Sequence, residues 1–261
     1  MTNMNDLPAG LRIECDGPVR LVWLDRPDQL NAATSEMQAA LAWIWDRLAA
    51  DPEARAIVLT GAGRAFCAGG NIRDFLATQQ DFYLRRRQFR ESRAIVNSMM
   101  ECPLPIIAAV NGAAVGLGAS LATLCDIVLM SDEAFMQDPH VSVGLVAGDG
   151  GAVVWPLLMS LLQAKEFLFT GDRISAQTAL QLGLANRLLP QEQVLPEAVK
   201  LAHRLAKQPP QALQDTKRAL NLHLRRAALG ILEFATAAES ESFLSAEHRE
   251  RVATLLEKQG K

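Results

Sequence analysis

The chain has 261 residues, 49% of them hydrophobic, which is enough to bury one full core with a smaller appendage. A net charge of -3 and a pI near 5.9 exclude the broad basic surface on which nucleic-acid or anionic-membrane binding relies. The four cysteines (Cys15, Cys67, Cys102, Cys125) have no CxxC or metal-ligand spacing, so they are expected to be reduced thiols in or near the core of a cytoplasmic protein.

The opening MTNMNDLPAG has neither a basic n-region nor an apolar h-region, and no targeting segment is expected from it. Leu11–Glu14 and Val19–Leu24 alternate as strands around a turn at Asp16-Gly17-Pro18. Ser35–Ala50 places Met37, Leu41, Ile44, Trp45 and Leu48 at helical spacing, with Thr34 or Ser35 as N-cap. Ala56–Thr60 and Ile106–Val110 are short apolar runs that predict buried strands, separated by a helix over Tyr83–Met100. That helix carries Arg85–Arg87, Arg90 and Arg93 among acidic and amide neighbours, the pattern of a solvated face. Cys102–Cys125 lacks charged residues and could span a bilayer by length, yet its prolines, Asn111 and glycines break it into strand, turn and the short helix Leu117–Leu124. A strand over Ile127–Met130, helices over Gly151–Leu162 and Ala164–Leu168, a short helix at Ser175–Leu182 and a strand at Leu184–Leu189 follow. From Pro196 only charged helical segments remain, broken at Pro209-Pro210 and Gly230. The shift in composition predicts an α/β core over 1–195 and a helical region over 196–261.

Two segments carry the chemistry. Arg64–Asp74 (RAFCAGGNIRD) and Pro105–Gly118 (PIIAAVNGAAVGLG) each run from an apolar strand into a glycine-rich turn and a helix. Such turns leave backbone N–H groups unpaired at a helix start, where negative charge is favoured. Two of them in one domain could aim two donors at one oxygen.

The order and wording of these segments resemble the enoyl-CoA hydratase/isomerase (crotonase) superfamily. LDRPDQLNA (24–32), GDRISAQTALQLGLAN (171–186) and HRERVATLLEK (248–258) are similar to further segments of that family, so the likeness covers nearly the whole chain. The resemblance implies a spiral of ββα units followed by helices that build trimers, often paired into hexamers. It also implies an acyl-CoA thioester ligand, with coenzyme A entering as part of the substrate and no separate cofactor. Carried over by position, the oxyanion donors fall on the N–H groups of Gly70 and Leu117, where leucine replaces the usual glycine. Coenzyme A would lie along Ala68, Gly70 and Ile72, with Arg26, Arg73 and Lys258 as candidates for its phosphates. Asn71 stands where an aspartate is common.

The decisive departure concerns proton transfer. Hydratases of this family use two glutamates, and those positions here hold Ser120 and His140. Syn addition of water needs a base for the water and an acid for the α-carbon. A serine cannot do either alone, and it reads as a polar group in the first turn of a helix. His140 has an ordinary pKa of about 6.5, which suits a base near neutrality. Asp149, in the loop GLVAGDGGA, is the other candidate acid or base, while Asp126 and Asp138 read as structural. The expected function is hydration or isomerisation of an acyl-CoA thioester through a stabilised enolate. Hydrolysis, decarboxylation, a silent acyl-CoA binder and, least favoured by charge, RNA binding are the alternatives. Leu220, Leu224, Ile231, Phe234, Phe243, Val252 and Leu255 give the helical tail apolar positions that call for partners in a homotrimer or hexamer.

Overall fold

The computed structural model describes residues 7–259. Its frame is a six-stranded sheet in the order β1-β2-β3-β5-β7-β10. These strands are β1 (Leu11–Asp16), β2 (Val19–Leu24), β3 (Ala56–Gly61), β5 (Ile106–Val110), β7 (Ile127–Ser131) and β10 (Arg187–Leu189). Only the β1/β2 hairpin is antiparallel; the other neighbours run parallel. Parallel strands are covered on both faces, which explains why β3 (AIVLTG) and β5 (IIAAV) are buried at every position. The period of two divides each strand between two cores. Ile57, Leu59, Ile106, Ala108 and Val110 enter the main core with Met37, Trp45 and Ile95. Val58, Ala56, Ile107 and Ala109 pack instead under Val194, Ala198 and Leu201 of α9 (Gln191–Ala206).

A second sheet, in the order β4-β6-β8-β9, lies beside the first. It is made of very short strands: β4 (Ala65–Cys67), β6 (Ala113–Val115), β8 (Phe135–Gln137) and β9 (Ile174–Ser175). After β3 and after β5 the chain passes through one short strand and then a helix, α3 (Ile72–Gln80) and α5 (Leu117–Leu124) respectively. This is the expected spiral of ββα units.

Several local expectations are corrected. The helix expected over 35–50 is two helices, α1 (Ser35–Leu41) and α2 (Ile44–Ala49), interrupted at Trp43, whose φ of -126° is not helical. Cys67, Cys102 and Cys125 are buried thiols, but Cys15 is exposed on the edge strand β1. Within α4 (Phe82–Glu101), Arg86, Arg87 and Arg90 face outward as expected, whereas Arg85 turns inward and donates to the Thr78 carbonyl at 3.1 Å. Asp126 is structural, as read: its Oδ2 accepts from the Ile106 N–H at 2.7 Å and pairs with Lys217 at 2.7 Å.

Helices α6 to α8 (Gly151–Leu158, Leu161–Thr170, Ala176–Leu182) precede β10, and after it the chain is helical through α9, α10 (Pro210–Ser242) and α11 (Ala246–Gln259). Leu229 and Gly230 leave helical geometry and bend α10. Beyond the bend, Leu232, Ala235, Thr236 and Glu239 are buried. Phe243 and Val252, expected to need a partner chain, are buried within their own, at 2% and 0% exposure. Leu220 and Phe234 are exposed, at 62% and 73%. No helix among the described residues is long and apolar enough to cross a membrane.

Candidate active site

The two glycine turns meet because α5 lies hard against β4. A Cβ on Gly118 would come within 2.3 Å of the Cys67 carbonyl, so only glycine permits this approach. Leu117 is the first residue of α5, and its N–H has no intrahelical carbonyl to reach. On the other turn, Ala33 donates to the Gly69 carbonyl and accepts from the Asn71 N–H, at 2.8 and 2.9 Å. Extended backbone alternates sides, so the Gly70 N–H points away from Ala33. Both Gly70 and Leu117 line a cavity of about 280 Å³. Ala68 and Ile72 line it too, and Asn71 caps α3 through a bond from the Arg73 N–H to its Oδ1 at 3.2 Å.

The cavity wall is apolar, formed by Phe75, Phe89, Val115, Phe243 and Leu255. Phe243 packs edge-on against Phe75 and Phe89, with ring centroids 5.5 Å apart in each pair. The C-terminal helices therefore close part of the cavity from within the same chain. Arg26 and Arg73 do not line it: Arg26 donates to the Ala32 carbonyl at 2.6 Å, and Arg73 is exposed on α3. The Lys258 side chain lies outside the described residues.

The polar end is built on Asp138-Pro139-His140. Asp138 Oδ1 accepts from the His140 backbone N–H at 3.1 Å and contacts Nδ1 of the same ring at 2.5 Å. The other ring nitrogen, Nε2, faces Asp149 Oδ2 at 3.5 Å and Glu239 Oε1 at 3.9 Å. Asp149 in turn accepts from Ser120 Oγ at 2.7 Å through its second oxygen. The four ionisable side chains are all buried. Asp138, expected to be structural, thus also contacts the His140 ring. Glu239 was not anticipated at all.

Burial and the neighbouring charges together set the charge states. It disfavours the charged His140 ring, but Asp138 and Asp149 outweigh this and hold its pKa well above the usual histidine value. Burial also raises Asp138, yet the adjacent imidazolium brings it below the usual carboxylate value. Asp149 is raised by burial and by the Asp138 charge, against the pull of His140 and the Ser120 hydrogen bond. Glu239 is pushed up to about 8, first by burial and then by Asp149 and Asp138. At neutral pH the site thus holds an imidazolium beside Asp138 and a neutral Glu239. The His140 pKa therefore lies above the ordinary value of about 6.5, which suits the ring to donating a proton. Cys67, pushed up to about 12 by burial, is no nucleophile.

Asp138, His140 and Asp149 bring nitrogen and oxygen atoms within 4.8 Å of one another, which spacing along the sequence did not suggest. These atoms engage one another and Ser120, the pattern of a proton-sharing cluster. Gly70, Leu117 and the buried side chains of His140, Asp149 and Glu239 thus line one largely apolar pocket.

Comparison with known proteins agrees with this architecture. The family model described as enoyl-CoA hydratase/isomerase matches residues 14–261. The crystal structure of an enoyl-CoA hydratase/isomerase from Mycobacterium paratuberculosis is 47% identical, with a TM-score of 0.93 over 95% of this chain and 99% of that one. The short-chain-enoyl-CoA hydratase of Clostridium acetobutylicum is 29% identical over 94% of each chain. A β-diketone hydrolase from the cyanobacterium Anabaena, solved bound to (S)-3-oxocyclohexyl acetic acid, is 27% identical, with a TM-score of 0.86 over 94% of this chain and 98% of that one. The chain belongs to the enoyl-CoA hydratase/isomerase family of enzymes.

Proposed function

We propose that this enzyme adds water to an α,β-unsaturated acyl-CoA thioester through an enolate, with His140 and Asp149 exchanging the protons. The observation that carries the proposal is the buried His140 beside two backbone donors in one apolar cavity. The thioester oxygen accepts from Gly70 N–H and Leu117 N–H, which stabilise the charge as it develops. Water forms a bond to the β-carbon and gives a proton to Asp149, while the π electrons move to the oxygen. Nε2–H of His140 then protonates the α-carbon. The proton on Asp149 returns to Nε2 across 3.5 Å, and the site is reset. The raised pKa of His140 suits it to the acid role, and the hydrogen bond from Ser120 supports Asp149 as the base. Without water the same groups would shuttle one proton and isomerise a double bond.

A second reading draws on the likeness to the Anabaena hydrolase. Water would add to one carbonyl of a β-diketone, the bond to the carbon between the carbonyls would break, and the departing enolate would be held by the same two N–H groups and protonated by His140. Neither scheme needs a metal or redox cofactor. Exposed Leu220 and Phe234 support assembly as a homotrimer or a pair of trimers, and the free thiols support a cytoplasmic setting. The test is a substrate panel: loss of enone absorbance with a series of enoyl-CoA thioesters against acid release from cyclic β-diketones. Turnover of the thioesters supports the first scheme; turnover of the diketones alone replaces it with the second.

A further inference from the structure

We propose that Ser120 is a positioning residue, whose hydroxyl tethers one oxygen of the Asp149 carboxylate so that the other is aimed at His140. The inference rests on the proton-exchange scheme above and assigns the step on which its base depends.

The first observation is what Ser120 does not do. A serine or threonine inside a helix commonly bonds back to the carbonyl four residues earlier. Thr123, one turn further along α5, does this, donating to the Ala119 carbonyl at 2.9 Å. Ser120 has its backbone satisfied, with its N–H on the Gly116 carbonyl at 3.0 Å, but its hydroxyl leaves the helix and donates to Asp149 Oδ1 at 2.7 Å. It is 1% exposed, so no water competes for this bond.

The second observation is how the loop reaches it. Gly150 has a φ of +135°, in the region that favours glycine, and a Cβ there would lie 3.3 Å from the Ser120 Cβ. This backbone lays Asp149 directly over the serine. With Oδ1 tethered, Oδ2 is the oxygen that faces Nε2 of His140.

The third is electrostatic. Asp149 is faced by Asp138 and His140 from the loop after β8, by Glu239 from α10, by the Cys67 thiol from β4 and by Ser120 from α5. His140 and the Ser120 hydroxyl favour its charge, while burial and Asp138 oppose it. Deleting the hydroxyl leaves one buried charged oxygen without its donor, and the proton binds more tightly.

The experiment follows the Asp149 carboxyl by carbon-13 NMR in protein labelled at aspartate, with Asp149→Asn to assign the resonance. In Ser120→Ala the titration should move up by about one to two pH units, the worth of one hydrogen bond to a charged group. Ser120→Thr should restore it. On whichever substrate turns over, Ser120→Ala should lower kcat with KM little changed, and the acidic limb of the pH profile should move by the same interval. Ser120→Cys, which keeps the volume and weakens the donor, replaces alanine if that variant melts early. An unmoved Asp149 titration in a folded variant overturns the proposal, because a merely structural hydroxyl would leave it in place. Absence of turnover on every substrate would overturn the proposed function while the titration still decides the role of Ser120.

Discussion

Glu239→Gln should stabilise the protein, and the gain should grow with pH. The carboxyl is buried, and its Oε2 has no hydrogen-bond partner among the described residues. Its pKa rises from an ordinary 4.5 to about 8 in the folded chain. Below 4.5 both folded and unfolded chains hold the proton, and the residue costs nothing extra. Between 4.5 and about 8 the unfolded chain sheds it while the folded chain keeps it, so stability falls as pH rises. Above that window the loss is complete. At ~1.36 kcal/mol per pKa unit, the full interval corresponds to roughly 5 kcal/mol. Glutamine has nearly the same shape and no proton to lose, so it removes this penalty. Even a third of the full value, ~1.5 kcal/mol, would raise Tm by about 3 °C or more in a chain of this size. The assay is thermal melting of both proteins between about pH 5 and pH 9, where the two curves should converge at the acid end. Parallel Tm curves across that range would refute the assignment of a proton to Glu239.

His140→Ala should lower kcat by ~10²–10⁴-fold with modest change in binding, measured by steady-state kinetics on a folded variant. Full kcat in that variant would remove His140 from the mechanism and leave Asp149 and Glu239 as the acid–base pair. Leu117→Pro should remove one backbone donor with little harm to the helix, because proline is well tolerated at the first helical position. Its kcat should fall by ~10²–10³-fold while Leu117→Ala, which keeps the N–H, stays close to the parent. Light scattering should return the mass of a trimer or hexamer, and Phe234→Glu, at a site 73% exposed in the single chain, should dissociate it. A monomer mass for the parent protein at micromolar concentration would sink the assembly.

The sequence exposes some parts of this site and hides others, and the difference has a physical origin. Strands β3 and β5 are legible because runs of four and five consecutive apolar residues between turn signals admit few other structures. The second sheet is not, since strands of two or three residues are too short for any period to register. His140 and Asp149 share one loop region, so proximity in sequence brings them together before any fold is known. Asp138 reaches His140 by a purely local bond across a proline, and an aspartate before proline is ordinarily read as a turn residue.

Glu239 does carry a signal in the sequence. Leu232, Ala235, Thr236 and Glu239 recur at three- and four-residue spacing and are all buried, so a carboxylate sits on the inward stripe of α10. An ionisable group on such a stripe has to find either a partner or a function, and here it finds the Nε2 of His140. Reading the helical tail through Ile231 and Phe234 instead selected the outward face, at 43% and 73% exposure. The change of composition near residue 195 is therefore a change of secondary structure and not of role. The helices beyond it supply Glu239, Phe243 and Leu255 to the cavity, so that truncation at the apparent boundary would open the pocket and strip it of a proton.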